Sequence, residues 1–167
     1  MYLSGERIIR NYKSKGNDKM KRVTMYHVEL VRDSAKLYNV DTVMNSSSKS
    51  PQVLREVLNI EKWHNERFGF AALDNQQNLI GLHIVTEGTV NETGVYAREV
   101  ATRALLNNAT SVILFHNHPG SSLTPSQADI TATRTVKAAL ETLQITLLDH
   151  IILTTTSYTS FAESGLL

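Results

Sequence analysis

Two histidines, His116 and His118, stand one residue apart in FHNHPGSSLTPSQAD (residues 115–129), and Ser126 and Asp129 follow within the same stretch. In an extended chain residues two apart point to the same side, so both imidazoles would face one point at a strand's end. Ser126 and Asp129 are three apart, which on a helix gives them one face. A helix folded back over the strand would carry Asp129 toward the histidines. Two imidazoles, one carboxylate and an open fourth position form the ligand pattern of a catalytic zinc, so one Zn2+ per chain is the expected cofactor. An isolated His-x-His pair is common and says little. Here the weight comes from the strand before it, Pro119 after it, and the Ser and Asp on a capped helix.

Other zinc chemistries fit less well. A zinc deaminase needs His-x-Glu with a Pro-Cys-x-x-Cys partner, and the chain has no cysteine. A helical His-Glu-x-x-His motif is absent. Without cysteine there is no disulfide framework and no thiolate zinc site, so a metal must be held by His, Asp or Glu.

The surrounding elements can be read from periodicity and punctuation. RVTMYHVELV (22–31) reads as a strand, rich in β-branched and apolar residues. NSSSKSP reads as a loop, and SPQVLREVLNI (50–60) as a helix entered through Ser50 and Pro51. RFGFAALD (67–74) and LIGLHIVTEG (79–88) are apolar runs joined by NQQN, the signature of a hairpin with a four-residue loop. VYAREVATRALLNN (95–108) reads as a helix. SVILF (111–115), short and wholly apolar, reads as a buried strand. TPSQADITATRTVKAALETL (124–143) reads as the longest helix, with Thr124 as N-cap, Pro125 at the first helical position and Gln127 completing a capping box. ITLLDHIILTT (145–155) reads as a strand, followed by the tail SYTSFAESGLL. Interleaved strands and helices with a central hairpin predict an α/β domain, a mixed β-sheet flanked by helices. The ends of central strands are where such folds place active sites.

At 167 residues with 41% hydrophobic content, a single domain with a real core is expected. No apolar run approaches the roughly 18 residues that a membrane span requires. The N-terminal stretch is too charged for a secretory signal, and a cytoplasmic location is expected. Charge is unevenly spread. Residues 1–22 carry a net +5, a basic and flexible arm by expectation, and the remaining chain holds 10 basic against 14 acidic residues. The body, residues 23–167, therefore repels a phosphate backbone on average, and a DNA contact would have to come through residues 7–22.

The run His116-Asn117-His118-Pro119, then Pro125-Ser126 and Asp129, resembles the JAMM motif of the MPN/JAB metalloprotease fold. There a His-x-His is followed by seven residues, Ser, two residues and Asp. HNHP, TPSQAD, LLDHIIL, SFAESGLL, NERFGFAALD and AREVATRALLNNATSVILFHNHP are all similar to the RadC family of bacteria and their mobile elements, over residues 64–167. One departure is Gly120 before Ser121, where the family usually reads His-Pro-Ser-Gly. The longer members also carry a helix-hairpin-helix region for DNA, and nothing in residues 1–63 looks like it.

The resemblance implies an MPN/JAB-like fold, related in layout to the cytidine deaminase-like architecture. It implies zinc-dependent hydrolysis of a peptide or isopeptide bond, with the metal on His116, His118 and Asp129. It also selects Glu66 as general base, which the residues alone could not choose over Glu61, Glu87 or Glu99. A carboxylate beside a metal-bound water can take its proton and pass it to a leaving amine. Ser126 would donate a hydrogen bond to the oxyanion, unless it serves only to cap the helix. The alternative is a DNA repair or recombination accessory role, traditionally attached to the RadC name. A catalytically dead scaffold comes last, because such members typically lose ligands and this chain keeps them.

Of the remaining candidates, Asn117 is expected to point away from the metal in a supporting or structural role. His83 is expected to be a packed sheet residue. His150 is expected either to support the site together with Asp149 or to sit in the core. His27 and His64 carry no signal. Arg98 matches the family without a derivable role. The substrate and oligomeric state are not set by these residues.

Overall fold

A computed structural model describes residues 42–46, 48–88, 93–120 and 122–167, together with Thr24, Met25, His27, Val31 and Tyr38. The basic arm and most of the strand expected over 22–31 lie outside the described residues. The elements run α1 (Lys49–Leu58), a 3-10 turn (Ile60–Lys62), β1 (Arg67–Leu73), β2 (Leu79–Glu87), α2 (Thr93–Leu106), β3 (Ser111–Asn117), α3 (Gln127–Thr142), β4 (Thr146–Leu153) and β5 (Tyr158–Ser160). One five-stranded sheet has the order β2-β1-β3-β4-β5. β3 and β4 are parallel and joined through α3; the other neighbours are antiparallel. The expected mixed α/β sheet is what forms. Among the described residues no helix is long and apolar enough to cross a membrane.

The apolar runs are explained by two buried faces. Every residue of β3 is buried, as a central strand covered on both sides requires. Val112 and Leu114 pack with Val100 and Ala104 of α2 and with Val136 and Leu140 of α3. Ile113 and Phe115 pack on the other side with Val53 and Leu54 of α1 and with Met44 and Ile60. Burial of each such side chain contributes about 1.5–3 kcal/mol. At Gly69 a Cβ would lie 2.3 Å from the His83 carbonyl oxygen and 2.6 Å from the Phe115 ring, so only glycine lets β1 approach its neighbours there.

A β-bulge decides which way one histidine faces. Val112 pairs with Leu147 but Ile113 pairs with Asp149, so Leu148 is the extra residue. Leu147 belongs to the α2–α3 side of the core, whereas Leu148 packs on the α1 side. The inserted residue reverses the alternation beyond it, and His150 thereby turns toward α3 and β3.

Several boundaries differ from expectation. α3 starts at Gln127, and its N-cap is Ser126, not Thr124; Asp129, not Gln127, closes the capping box. The reason is reciprocity. The Ser126 hydroxyl accepts the Asp129 N–H at 3.1 Å and the Asp129 carboxylate accepts the Ser126 N–H at 2.7 Å, which satisfies two donors at once. Pro125 therefore precedes the cap. α2 begins and ends two residues earlier than the expected 95–108, and β3 runs on through His116 to Asn117. Within the tail, β5 pairs with β4, and Phe161 behind it is fully buried.

Candidate metal centre

β3 delivers His116 as its penultimate residue, 1% exposed. His118 leaves the strand but stays fastened to the sheet, because its N–H donates to the Leu153 carbonyl at 2.9 Å. Asp129 sits in the first turn of α3, held there by the capping box. Glu66 immediately precedes β1, which runs antiparallel to β3 with Phe68 opposite His116. That register carries Glu66 toward His118. One possible ligand atom from each of Glu66, His116, His118 and Asp129 lies within 4.8 Å of all the others. The structure thus brings together four sequence-predicted residues: Glu66 just before β1, His116 and His118 at and just beyond the end of β3, and Asp129 in the first turn of α3.

The Nε2 atoms of His116 and His118 are 2.8 Å apart. Asp129 Oδ1 is 3.4 Å from His116 Nε2, and Oδ2 is 3.8 Å from His118 Nε2. Nitrogen and oxygen ligands at about 2.0–2.2 Å on a tetrahedral zinc are roughly 3.3 Å from one another; the His116–Asp129 separation matches this, the two imidazoles stand closer and Asp129 Oδ2 stands farther from His118, so small side-chain adjustments bring the three onto one ion. His118 Nδ1 faces the Ser122 carbonyl at 2.7 Å. A carbonyl can only accept, so Nδ1 carries the ring proton and Nε2 presents its lone pair to the centre. The donor set therefore fits a zinc on His116, His118 and Asp129, with Glu66 beside it.

Burial sets the electrostatics. It drives the His116 pKa down to about 4; the Asp129 carboxylate opposes that shift and His118 reinforces it. Burial likewise holds Glu66 above its ordinary 4.5, with His118 pulling it down and Asp129 pushing it up. A neutral imidazole is the form that binds metal, and a carboxyl raised toward neutrality is a better proton shuttle than an ordinary surface glutamate.

Two further residues support the site. The Asn117 side chain, 2% exposed, accepts the Arg67 N–H at 2.7 Å and donates to the Asn65 carbonyl at 3.1 Å. It grips the chain on both sides of Glu66. His150 is buried between Phe68 and Phe161; its Nε2 lies 2.8 Å from His116 Nδ1 and its Nδ1 lies 2.6 Å from the Thr133 hydroxyl. The partnership with Asp149 is not the expected one, since that carboxylate points elsewhere. It accepts from the Ser160 hydroxyl at 2.6 Å and the Ala162 N–H at 3.0 Å, and so anchors the turn after β5. Only the His150 backbone N–H reaches it, at 2.7 Å. Thr133 escaped the sequence reading; its placement one turn beyond Asp129 was the only available signal.

Ser126, exposed at the rim, directs its hydroxyl to Asp129 Oδ2 at 2.7 Å. Two of the competing glutamates are engaged elsewhere: Glu87 pairs with Arg67 and Glu99 with Arg103. His83 stacks on Phe70 with ring centroids 4.7 Å apart and bonds Asn107, away from the centre. Arg98 is exposed on α2. A cleft of about 330 Å³ opens beside His118, lined by Ile60, Trp63, His64, Asn117 and Leu153 among others.

Residues 44–166 match the RadC-like JAB domain, reaching upstream of the 64–167 stretch noted from the motifs. The chain is 44% identical over 120 residues to a UPF0758 protein of Polaromonas sp. (strain JS666), covering 71% of this chain and 54% of that protein. It is 39% identical over 156 residues to a UPF0758 protein of Variovorax paradoxus (strain S110), covering 93% and 68%. A UPF0758 protein of Cupriavidus pinatubonensis is 42% identical over 122 residues, covering 72% and 54%. The chain spans about half the length of the first and third of these relatives. With well over half of its residues matched, the chain belongs to the RadC-like JAB domain family.

Proposed function

We propose that this chain is a zinc-dependent hydrolase of amide bonds, acting in the cytoplasm on a peptide or isopeptide. The observation that supports this most is the convergence of two imidazole Nε2 atoms and two carboxylates on one point, with His118 of that set also lining a cleft. His116, His118 and Asp129 would hold one zinc. Bound there, the ion would acidify a water and polarise the scissile carbonyl. Glu66 would act as the general base, accepting a proton from the attacking water and returning it to the leaving amine. Asn117 fixes Glu66 in place for both transfers. Ser126 donates to the carbonyl oxygen as it gains charge, for which its hydroxyl must rotate away from Asp129. The cleft between Trp63, Leu153 and His118 receives the substrate chain.

The test pairs metal analysis with turnover. Purified protein should hold about one zinc per chain, and it should cleave an amide or isopeptide substrate that Glu66→Gln leaves intact. Absence of metal after zinc loading and buffer exchange would overturn the reading. The second reading is an accessory role on DNA, and what favours it is the +5 charge of residues 1–22.

A further inference from the structure

The protons behind His116 run in one direction only. Thr133, 1% exposed, donates its hydroxyl proton to the Asp129 backbone carbonyl at 2.6 Å. This bond to the carbonyl four residues back is the usual one for threonine inside a helix. A hydroxyl has a single proton, so toward His150 the Thr133 oxygen can only accept. The 2.6 Å contact with His150 Nδ1 therefore runs from the ring N–H to the hydroxyl oxygen. A neutral imidazole carries one proton, which leaves His150 Nε2 as an acceptor. The 2.8 Å contact with His116 Nδ1 then has His116 as donor, and the His116 Nε2 lone pair is bare.

That nitrogen faces His118 Nε2, which the Ser122 carbonyl leaves equally bare. The two lone pairs, with their nitrogens 2.8 Å apart, are directed at the point where a cation would bind. If Thr133 instead donated to His150, every bond would reverse, and a proton would occupy His116 Nε2 where a metal ligand is needed. The α3 backbone at Asp129 decides between the two. Asp129 thus serves twice, with its carboxylate at the centre and its carbonyl as the end of the relay.

We propose that Thr133 and His150 are positioning residues that hold His116 in its metal-binding tautomer, through a relay ending on the Asp129 carbonyl. This rests on the metal-centre reading above for its purpose, but not for its measurement. The protonated nitrogen can be read in the metal-free full chain, labelled with 15N-histidine, from two-bond nitrogen–proton couplings. His116 should carry its proton on Nδ1 in the natural chain and in Thr133→Ser, and lose that preference in Thr133→Val, which keeps the shape and removes the hydroxyl. Zinc affinity, measured by competition with a chromophoric chelator, should be unchanged in Thr133→Ser. It should fall about 10–100-fold in Thr133→Val and in His150→Phe, the range seen when the partner of a ligating histidine is removed. A proton on His116 Nε2 in the metal-free natural chain would overturn the proposal, and that measurement needs no variant. So would a folded Thr133→Val with natural zinc affinity and tautomer. A natural chain with the Nδ1 tautomer that binds no zinc would support the relay while sinking the metal reading, so the two failures are distinct.

Discussion

Asn117 accepts the backbone N–H of Arg67 at 2.7 Å, a bond that ties the end of β3 to the residue after Glu66. Its amide nitrogen holds the carbonyl of Asn65 on the other side. The middle residue of the His-x-His motif thus orients the candidate base while its neighbours face the metal centre. Asn117→Ala should keep zinc at the natural level and lower turnover on the order of 10-fold or more, since misplacing a reacting group by about 1 Å can cost 10²-fold. It also strips a partner from the Arg67 N–H, at about 1–3 kcal/mol. Denaturant unfolding and zinc content measured on one preparation check both halves; loss of zinc in a folded variant would contradict this division of labour.

Glu66→Gln should retain the fold and the zinc and lose hydrolysis by roughly 10²-fold or more, because an amide of the same shape accepts no proton. Burial raises the Glu66 pKa in the metal-free chain, a shift that the charge of a bound zinc opposes, and the acid limb of the natural pH–rate profile should report the protonation of Glu66. The active form is the ionised one, so activity declines as pH drops through that limb. An undiminished Glu66→Gln rate would place the base elsewhere.

Removing a ligand should cost metal, but the two ends of the site differ in side effects. His118→Ala should release zinc to a mild chelator with little change in stability, as the strand keeps its backbone bond to Leu153. Asp129→Ala should release zinc and also lose about 1 kcal/mol from the start of α3, because the capping box loses its carboxylate. Full zinc occupancy of His118→Ala after dialysis would show the ligand set to be misassigned.

The metal-free chain should weaken in acid at a pH set by its buried histidines. His116 titrates at about 4 when folded, against an ordinary 6.5, and burial depresses His150 in the same sense. A depressed pKa means that the unfolded chain binds protons first. The stabilising contribution is complete above pH 6.5 and is lost as pH falls toward 4. Between pH 7.5 and 5 the loss should be about 2 kcal/mol from His116 alone. Melting curves at the two pH values test this, and His116→Asn should flatten the difference.

Deleting residues 1–22 should leave zinc binding untouched, since no candidate ligand lies there. Whatever DNA binding the full chain shows should disappear with the arm, and it should fall steeply with salt as phosphate counterions are released. Salt-insensitive DNA binding by the truncated chain would point to the body of the domain instead.

Local sequence determined more of the centre than of its support. The spacing of His116, His118 and Asp129 was legible because strand and helix periodicities are short-range: two residues on a strand and three on a helix already choose a face. The mixed sheet was legible for the same reason, through its hairpin and the apolar runs. Even so, Ser126 capped the helix in place of Thr124, because only the Ser126–Asp129 pair closes bonds in both directions. Glu66 was chosen by resemblance, and what brings it to the histidines is the β1–β3 register, a long-range pairing that no spacing announces. His150 was ambiguous for a related reason. The bulge at Leu148 turns it toward His116, and one inserted residue reverses every side chain beyond it. Thr133 and Asn117 acquire their roles from partners far away along the chain. Residue types and short spacings determined which groups could bind a metal; strand register, the bulge and helix docking decided which groups hold them in place, because those depend on contacts between segments distant in sequence.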